Sequence, residues 1–422
     1  MSADWVRLAP DTPAAHAALK AARELTRAGE YALALDVLAG PAVRETPLGR
    51  LLGADLLLAL GRAEAALAAT EAVAREHGDT GQGLLCAGQA RLALGDRTGA
   101  AEAFARAGAA DPGRIAARVN AVALAGPPAP LAPSSRRAVA VTSLPPTAGR
   151  RCRLALASWR AAGFSTIVSV NAAEEIATLA ERFPDVAYVA GRETALADYE
   201  RACPAVGELL AAGAAVGAPA VAVLNADIVL AAGADFAVRL ATAARGGLVA
   251  ACRVDVEPDA PGEPRPAFSY YYDVGFDLCA VDTAYAQRPE LEGFWLGLPW
   301  WDYALPLAVA RAGGTPRFCA APVLVHAAHG AAWSHRAFLA LGRRFADRFW
   351  PGLAEELLGG GLVADAGPEA CLAALGGRVA GLIRRAPDAG LWDRVGFCPH
   401  DPAYAASAPA LTQIIPDANP PR

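Results

Sequence analysis

Lysine and methionine are nearly absent from this chain of 422 residues, with one residue of each, Lys20 and Met1. Almost all of its 38 basic residues are therefore arginine, and they form no basic stripe with interleaved aromatic residues. This pattern argues against a nucleic-acid partner. The eight cysteines are scattered singly, without a Cys-x-x-Cys pair. The sequence therefore predicts reduced thiols of a cytoplasmic protein, and neither a zinc site nor a disulfide framework.

Uninterrupted apolar runs long enough to cross a membrane are also missing. The most apolar long stretch, residues 211–230, is broken by two glycines, a proline, Asn225 and Asp227, so no membrane span is expected. The first residues lack a basic region followed by an apolar one, which argues against a signal peptide. With 54% hydrophobic and 19% charged residues, the chain is typical of a globular protein of two to three domains.

Residues 1–126 are predicted to form helical repeats. Glycines at 29, 61 and 95 divide alanine- and leucine-rich segments at intervals of 32 and 34 residues, a period typical of stacked helix pairs. The last unit resembles the tetratricopeptide pattern through Leu84, Gly88, Gly95, Ala100, Phe104, Ala107 and Pro112. The expectation is an all-α tetratricopeptide-like solenoid of three degenerate repeats. Its concave face would bind a protein or peptide, or the repeats would only pack on a neighbouring domain or self-associate.

A proline-rich linker at residues 127–136 precedes a second domain, predicted at residues 137–350, and a C-terminal helical extension and tail at residues 351–422. In the second domain, strand patterns alternate with helix patterns of ten or more residues, which predicts a mostly parallel sheet. Its fourth strand is predicted at residues 221–224, and a short strand is predicted late in the domain, at residues 323–326. A helix is predicted from Trp301 to Ala312.

Two polar residues follow the fourth strand. Residues 221–224 are all apolar, as a central strand covered on both faces requires. Asn225 and Asp227 then stand at its carboxyl end, where open α/β sheets bind ligands. The alternative is that both side chains only cap the turn after the strand.

The order of strands and helices, followed by Asn225-Ala-Asp227, resembles glycosyltransferases of the GT-A fold. Two further segments are similar to that family: the Trp300-Trp301-Asp302 turn and the late His326. The resemblance implies a Rossmann-related mixed α/β sheet that binds a nucleotide-sugar donor and transfers its sugar to an unknown acceptor. It also implies a Mn²⁺ or Mg²⁺ ion on Asp227 and His326, with His329 as a substitute and Asn225 orienting the ribose or a metal-bound water. One departure is that Asn225 replaces the first acid of the family's Asp-x-Asp motif, which leaves a metal-independent mode open.

Transfer with inversion needs a base for the acceptor proton, and Asp302 is the first candidate because it stands at a predicted helix start. Trp300 and Trp301 would form an acceptor-side wall, bordered by Tyr270 and Asp273. The alternatives are that Asp302 is a helix cap, that both tryptophans are core residues and that His326 is a core histidine. Asp273 and Asp277 are reserve candidates for the base.

The ends of the first two strands supply the predicted nucleotide contacts, Ser143 and Asn171, by the same sheet-edge argument. A competing interpretation is a catalytically silent GT-A-like shell that serves as a scaffold together with the helical repeats. Asn225 favours this scaffold. The occurrence of Asp227, Asp302 and His326 at predicted strand ends or helix starts favours the enzyme.

Overall fold

The computed structural model describes residues 12–27, 30–111, 117, 118, 120, 121, 124, 136–256, 275–327, 333–351, 368–387, 389 and 391. These residues fall into two compact units, one within residues 12–124 and the other within residues 136–391. Gly29, Pro112 and most of the linker lie outside the described residues. In the described part of the chain, no helix combines the length and the apolar character needed to cross a membrane.

The first unit is helical, which confirms that part of the sequence prediction. Its helices are α1 (Pro13–Arg27), α2 (Tyr31–Leu38), α3 (Pro47–Ala59), α4 (Ala63–His77), α5 (Gly81–Ala93) and α6 (Arg97–Ala110). Four of them begin at polar caps, because Thr12, Thr46, Thr80 and Asp96 each accept a hydrogen bond from a backbone N–H in the first turn. Helices α5 and α6 approach closely where Gly88 meets Phe104, since a Cβ added at Gly88 would lie 2.6 Å from the Phe104 ring.

The second unit is built on an eight-stranded mixed sheet. Its strands are β1 (Val139–Thr142), β2 (Ile167–Asn171), β3 (Ala187–Ala190), β4 (Ala220–Leu224), β5 (Val229–Leu230), β6 (Gly247–Val256), β7 (Leu278–Asp282) and β8 (Thr315–Ala327). Their order is β3-β2-β1-β4-β7-β6-β8-β5. Strands β1 to β4 are parallel, whereas β7 runs antiparallel to both β4 and β6. The α/β character is confirmed.

Eight helices belong to this unit in the described residues. They are α7 (Arg150–Ala161), α8 (Ala173–Arg182), α9 (Leu196–Tyr199), α10 (Val206–Ala215), α11 (Phe236–Ala244), α12 (Trp301–Arg311), α13 (His335–Phe349) and α14 (Pro368–Arg384). Short 3₁₀ turns lie at Thr283–Tyr285 and Pro289–Leu291.

The central strand β4 is buried on both faces, because its side chains alternate between two helical layers. Val221 faces α10 so closely that a Cβ added at Gly213 would lie 2.4 Å from a Val221 methyl. Ala222 and Leu224 belong to the opposite core, together with Trp159 of α7 and other buried residues. This two-sided burial explains the uninterrupted apolar sequence of the strand.

Candidate functional site

Polar side chains from four strands meet at one edge of the sheet. Strands β4, β6 and β8 all end at this edge, and the antiparallel β7 begins there. The residues that the strands bring to it are Asn225 and Asp227 after β4, Arg253 in β6, Asp277 before β7 and His326 in β8. Apolar strand interiors place these polar residues where the strands leave the core.

This edge opens into a cleft of about 650 Å³. The cleft is lined by Ser143 and the following turn, Cys152, Glu175, residues 200–204, Asn225, Ala226, Asp227, Arg253, Leu296, Gly297, His326 and Trp333. Basic and acidic side chains therefore face the same space. An open, partly apolar cleft with a few convergent polar groups is typical of a small-molecule site.

Asp227 and His326 form the closest pair of candidate metal ligands. The Nε2 atom of His326 lies 3.4 Å from Oδ2 of Asp227. The imidazole is 3% exposed and the carboxylate side chain is 30% exposed, so the carboxylate faces the cleft and the imidazole lies beneath it. No group of three or more His, Cys, Asp or Glu side chains suited to a metal occurs among the described residues.

Asn225 is held by a buried network. Its Nδ2 donates to Oδ1 of Asp277 at 2.8 Å, and Nη1 of Arg253 donates to the same oxygen at 2.9 Å. Burial raises the pKa of Asp277, while the Arg253 charge and the two hydrogen bonds lower it in part. The other oxygen of Asp277, Oδ2, is buried and accepts no hydrogen bond from the described residues. Asn225 is thus a donor to Asp277, a role that an aspartate could not fill.

The predicted nucleotide contacts Ser143 and Asn171 differ in position. Ser143 lines the cleft. Asn171 is 1% exposed and lies behind the cleft wall, where its Nδ2 donates to the Leu144 carbonyl at 2.8 Å and to Glu175 Oε2 at 3.0 Å. Its Oδ1 accepts from Ser169. Contact between Asn171 and a ligand would require one of these bonds to break, so the amide positions the wall.

Asp302 lies in the first turn of α12 and faces a second, smaller cavity. Its Oδ2 accepts a hydrogen bond from the Phe276 N–H at 2.9 Å. Burial raises the pKa of Asp302 to about 7, and the charge of Asp277 adds to the rise against backbone hydrogen bonds that lower it. A carboxyl group with this pKa suits proton transfer near neutral pH.

Trp300 and Trp301 are core residues, 2% and 3% exposed. The Trp300 indole packs against Phe338 and Phe345 and donates to the Phe338 carbonyl at 3.0 Å. Both residues also line the smaller cavity. Their burial is the environment expected if both tryptophans are core residues. Their proposed role as an acceptor-side wall stays a prediction.

Two cysteines in the cleft wall are held as neutral thiols. Burial and the nearby Asp227 charge raise the pKa of Cys152 to about 11, and burial raises the pKa of Cys203. Because the thiolate is the nucleophilic form, neither side chain is suited to nucleophilic catalysis.

Tyr270, Asp273 and His329 lie outside the described residues. By contrast, Arg253 was missed by the sequence analysis, and Asp277 was only a reserve candidate. The signal that points to both is a charged residue inside an apolar strand pattern, since such residues are rarely buried without a partner. Arg253 follows the apolar residues 248–252, and Asp277 interrupts an apolar run.

Comparisons with known proteins leave the family of the chain open. No protein-family model matches the sequence, and no curated protein matches it. Among solved structures, the chain is similar to mannose-1-phosphate geranyltransferase from Thermus thermophilus, at 16% sequence identity. The match covers 50% of this chain and 79% of that chain, with a TM-score of 0.23. A likeness at this TM-score establishes neither a shared fold nor a shared activity.

Proposed function

We propose that the sheet unit is a GT-A-like glycosyltransferase that moves a sugar from a nucleotide-sugar donor to an acceptor with the help of a divalent metal. The observation that carries the proposal is the Asp227–His326 pair at the cleft, 3.4 Å apart, at the carboxyl edge of β4 and β8. Nucleotide ligands bind at such strand edges in open α/β sheets.

The two side chains fit a shared metal ion. Neighbouring ligands of an octahedral ion with bond lengths near 2.1 Å lie about 3 Å apart, close to the observed separation. Asp227 and His326 would hold Mn²⁺ or Mg²⁺, with donor phosphates and water as the other ligands. The ion would neutralise the charge that develops on the leaving diphosphate.

Asp302 is proposed as the base that takes the acceptor proton. Its pKa of about 7 gives a substantial ionised fraction at neutral pH together with enough basicity to accept a proton. The carboxyl group lies in the smaller cavity, and that cavity shares Asn225, Arg253, Gly297 and Trp333 with the cleft. Donor and acceptor would meet at these shared residues.

The helical unit is proposed as a tetratricopeptide-like solenoid that binds a protein or peptide. The close packing of Gly88 on Phe104 and the positive φ values of Gly61 and Gly95 at the helix ends support this assignment. Both features match the small-residue positions of the repeat pattern.

The second candidate function is a catalytically silent shell that acts as a scaffold. The observation that favours it is the hydrogen bond from the Asn225 amide to Asp277. Asn225 occupies the position of the first acid of the motif, and this bond gives it a structural role there. Under this alternative, Asp227 and His326 are only an ion pair at the cleft wall.

A thermal-shift panel of UDP-, GDP- and CMP-sugars, each with and without Mn²⁺, tests the two candidates. Selective binding raises the melting temperature, so the enzyme predicts a metal-dependent rise with one nucleotide class. The Asp227→Asn variant should lose the metal-dependent part of that rise. The matched control is Glu181→Gln, which removes an exposed carboxylate on α8 and should leave the rise intact. If no nucleotide-sugar shifts the melting temperature with or without Mn²⁺, the scaffold is favoured.

A further inference from the structure

The smaller cavity beside the cleft has a volume of about 150 Å³. It is lined by residues 275–277, residues 297–303, Asn225, Arg253, Trp333 and Phe338. An apolar cavity of about this size accommodates one six-membered ring. The cavity therefore fits a single ring or a short chain and excludes a nucleotide.

The carboxyl group of Asp302 brings uncompensated negative charge to this cavity. Among the residues that the structure describes, no arginine, lysine or histidine forms an ion pair with it, and its raised pKa reflects burial beside a second acid. Arg253 is ion-paired to Asp277 instead. A partly buried carboxylate without a cationic partner is costly, so a cationic ligand would be stabilised here.

Asp277 provides a second unused acceptor. The residue is 4% exposed and lines the cavity. Its Oδ1 takes both hydrogen bonds, while the buried Oδ2 has no donor in the described part of the chain. A buried acceptor left without a donor destabilises the folded protein, and a ligand N–H or O–H that reached it would relieve this cost.

The remaining walls are aromatic. Trp333 stacks on Phe338, with ring planes 20° apart and centroids 5.7 Å apart. Trp300 and Tyr303 lie on the wall that carries Asp302. Aromatic faces attract cations and add to the effect of a carboxylate.

We propose that this cavity binds a primary ammonium group carried on a ring-sized ligand. An ammonium has three N–H donors for the acceptors that line the cavity, whereas a hydroxyl has one. An ammonium also supplies the positive counter-charge for the Asp302 carboxylate, which a neutral ligand does not. An anionic group would be repelled by the Asp302 carboxylate, which has no cationic partner among the described residues.

Combined with the proposed transferase function, on which this step rests, the inference makes the acceptor an amine. The ammonium would give one proton to Asp302, and the nitrogen lone pair would form the new C–N bond to the sugar. The bond from the sugar to the diphosphate oxygen would break, with its electron pair left on that oxygen. Asp302 would then serve first as counter-ion and next as base.

Cyclohexylamine and cyclohexanol are suitable probes because they match in shape and differ in charge. Binding to the full chain at pH 7 would be measured by titration calorimetry and by tryptophan fluorescence. We expect the amine to bind at least about tenfold more tightly than the alcohol, and Asp302→Asn to weaken amine binding at least about tenfold. The asparagine keeps an oxygen for the Phe276 N–H, and the melting temperature of the variant reports whether it folds.

Asp277→Asn and the control Glu181→Gln complete the set. Asp277→Asn should weaken amine binding, and Glu181→Gln should not change it. The proposal is overturned if the alcohol binds as tightly as the amine, if neither probe binds, or if folded Asp302→Asn binds the amine like the wild type. Amine binding does not need a nucleotide-sugar, so a negative nucleotide panel with a positive amine result would reject the transferase alone.

Discussion

Replacing Asp302 with asparagine should make the protein more stable at neutral pH and leave its stability at acidic pH little changed. The carboxyl group has an ordinary pKa of 3.8 and a pKa of about 7 in the folded protein. Between these values the folded state binds more protons than the unfolded state. Stability therefore falls as pH rises from about 4 to about 7, and this loss is complete above pH 7.

The size of the effect follows from the two pKa values. A difference of about 3 corresponds to about 4 kcal/mol, and about 3 kcal/mol of it falls between pH 4.5 and pH 8. Asparagine has no charge to bury and can still accept the hydrogen bond that Asp302 takes from the Phe276 N–H. The stability of Asp302→Asn relative to the wild type should therefore rise by about 3 kcal/mol over this pH range.

Urea denaturation followed by tryptophan fluorescence measures this difference. Seven of the eight tryptophans lie after residue 126, so the signal reports on the sheet unit. Glu181→Gln is the control, since its carboxylate is exposed, and its stability should run parallel to the wild type at every pH. Parallel curves for Asp302→Asn and the wild type from pH 4.5 to pH 8 would refute the burial argument.

Two further predictions concern packing and charge. Asn225→Asp should destabilise the protein at pH 7 by about 2 kcal/mol or more, because it replaces the donor 2.8 Å from Asp277 with a second buried acid. Urea denaturation at pH 7 measures this difference, and unchanged stability would contradict the hydrogen-bond network. Gly88→Ala should lower the free energy of unfolding by about 1 to 3 kcal/mol, since the added Cβ would lie 2.6 Å from Phe104. Gly53→Ala is the matched control: its Cβ would have its nearest contact at 3.8 Å, so it should stabilise its helix by up to about 1 kcal/mol. Thermal melts followed by circular dichroism measure both, and shifts of the same sign would contradict the packing argument.

The centre of the sheet could be predicted from the sequence because local pattern and tertiary environment agree there. The predicted fourth strand at residues 221–224 is found as β4, one residue longer, with every side chain buried. The predicted helix from Trp301 to Ala312 is found as α12, one residue shorter. In both segments the apolar pattern of the sequence agrees with the burial of the side chains in the fold.

The outer part of the sheet could not be predicted as well. The short strand predicted at residues 323–326 is the end of the 13-residue β8, because the prolines at 316 and 322 interrupt the strand pattern although β8 continues past them. The two-residue β5 depends entirely on its antiparallel pairing with β8. Pairing between distant segments leaves no local signal in such short strands.

In the candidate site, too, some residues could be predicted from local sequence and others could not. Asp227 and His326 could be selected because each follows or ends an apolar strand. The role of Asn225 could not be predicted, because it depends on Asp277, which is 52 residues away in sequence. The cavity at Asp302 also needed the fold, since Arg253, Phe276 and Trp333 reach it from separate segments.

Trp300 shows how a residue without a chemical role can govern the geometry of the site. Its φ is 79°, a left-handed conformation that costs a non-glycine residue about 1 to 2 kcal/mol. The contacts of its ring with α13 and with Tyr303 help to hold it there. A methyl group at Gly342 of α13 would lie 2.9 Å from that ring. Because Asp302 is two residues further along the chain, the packing of Trp300 on α13 helps to fix the start of the helix that carries this carboxyl group. A larger side chain at Gly342 would therefore displace the Trp300 ring and, with it, the start of α12 that carries Asp302.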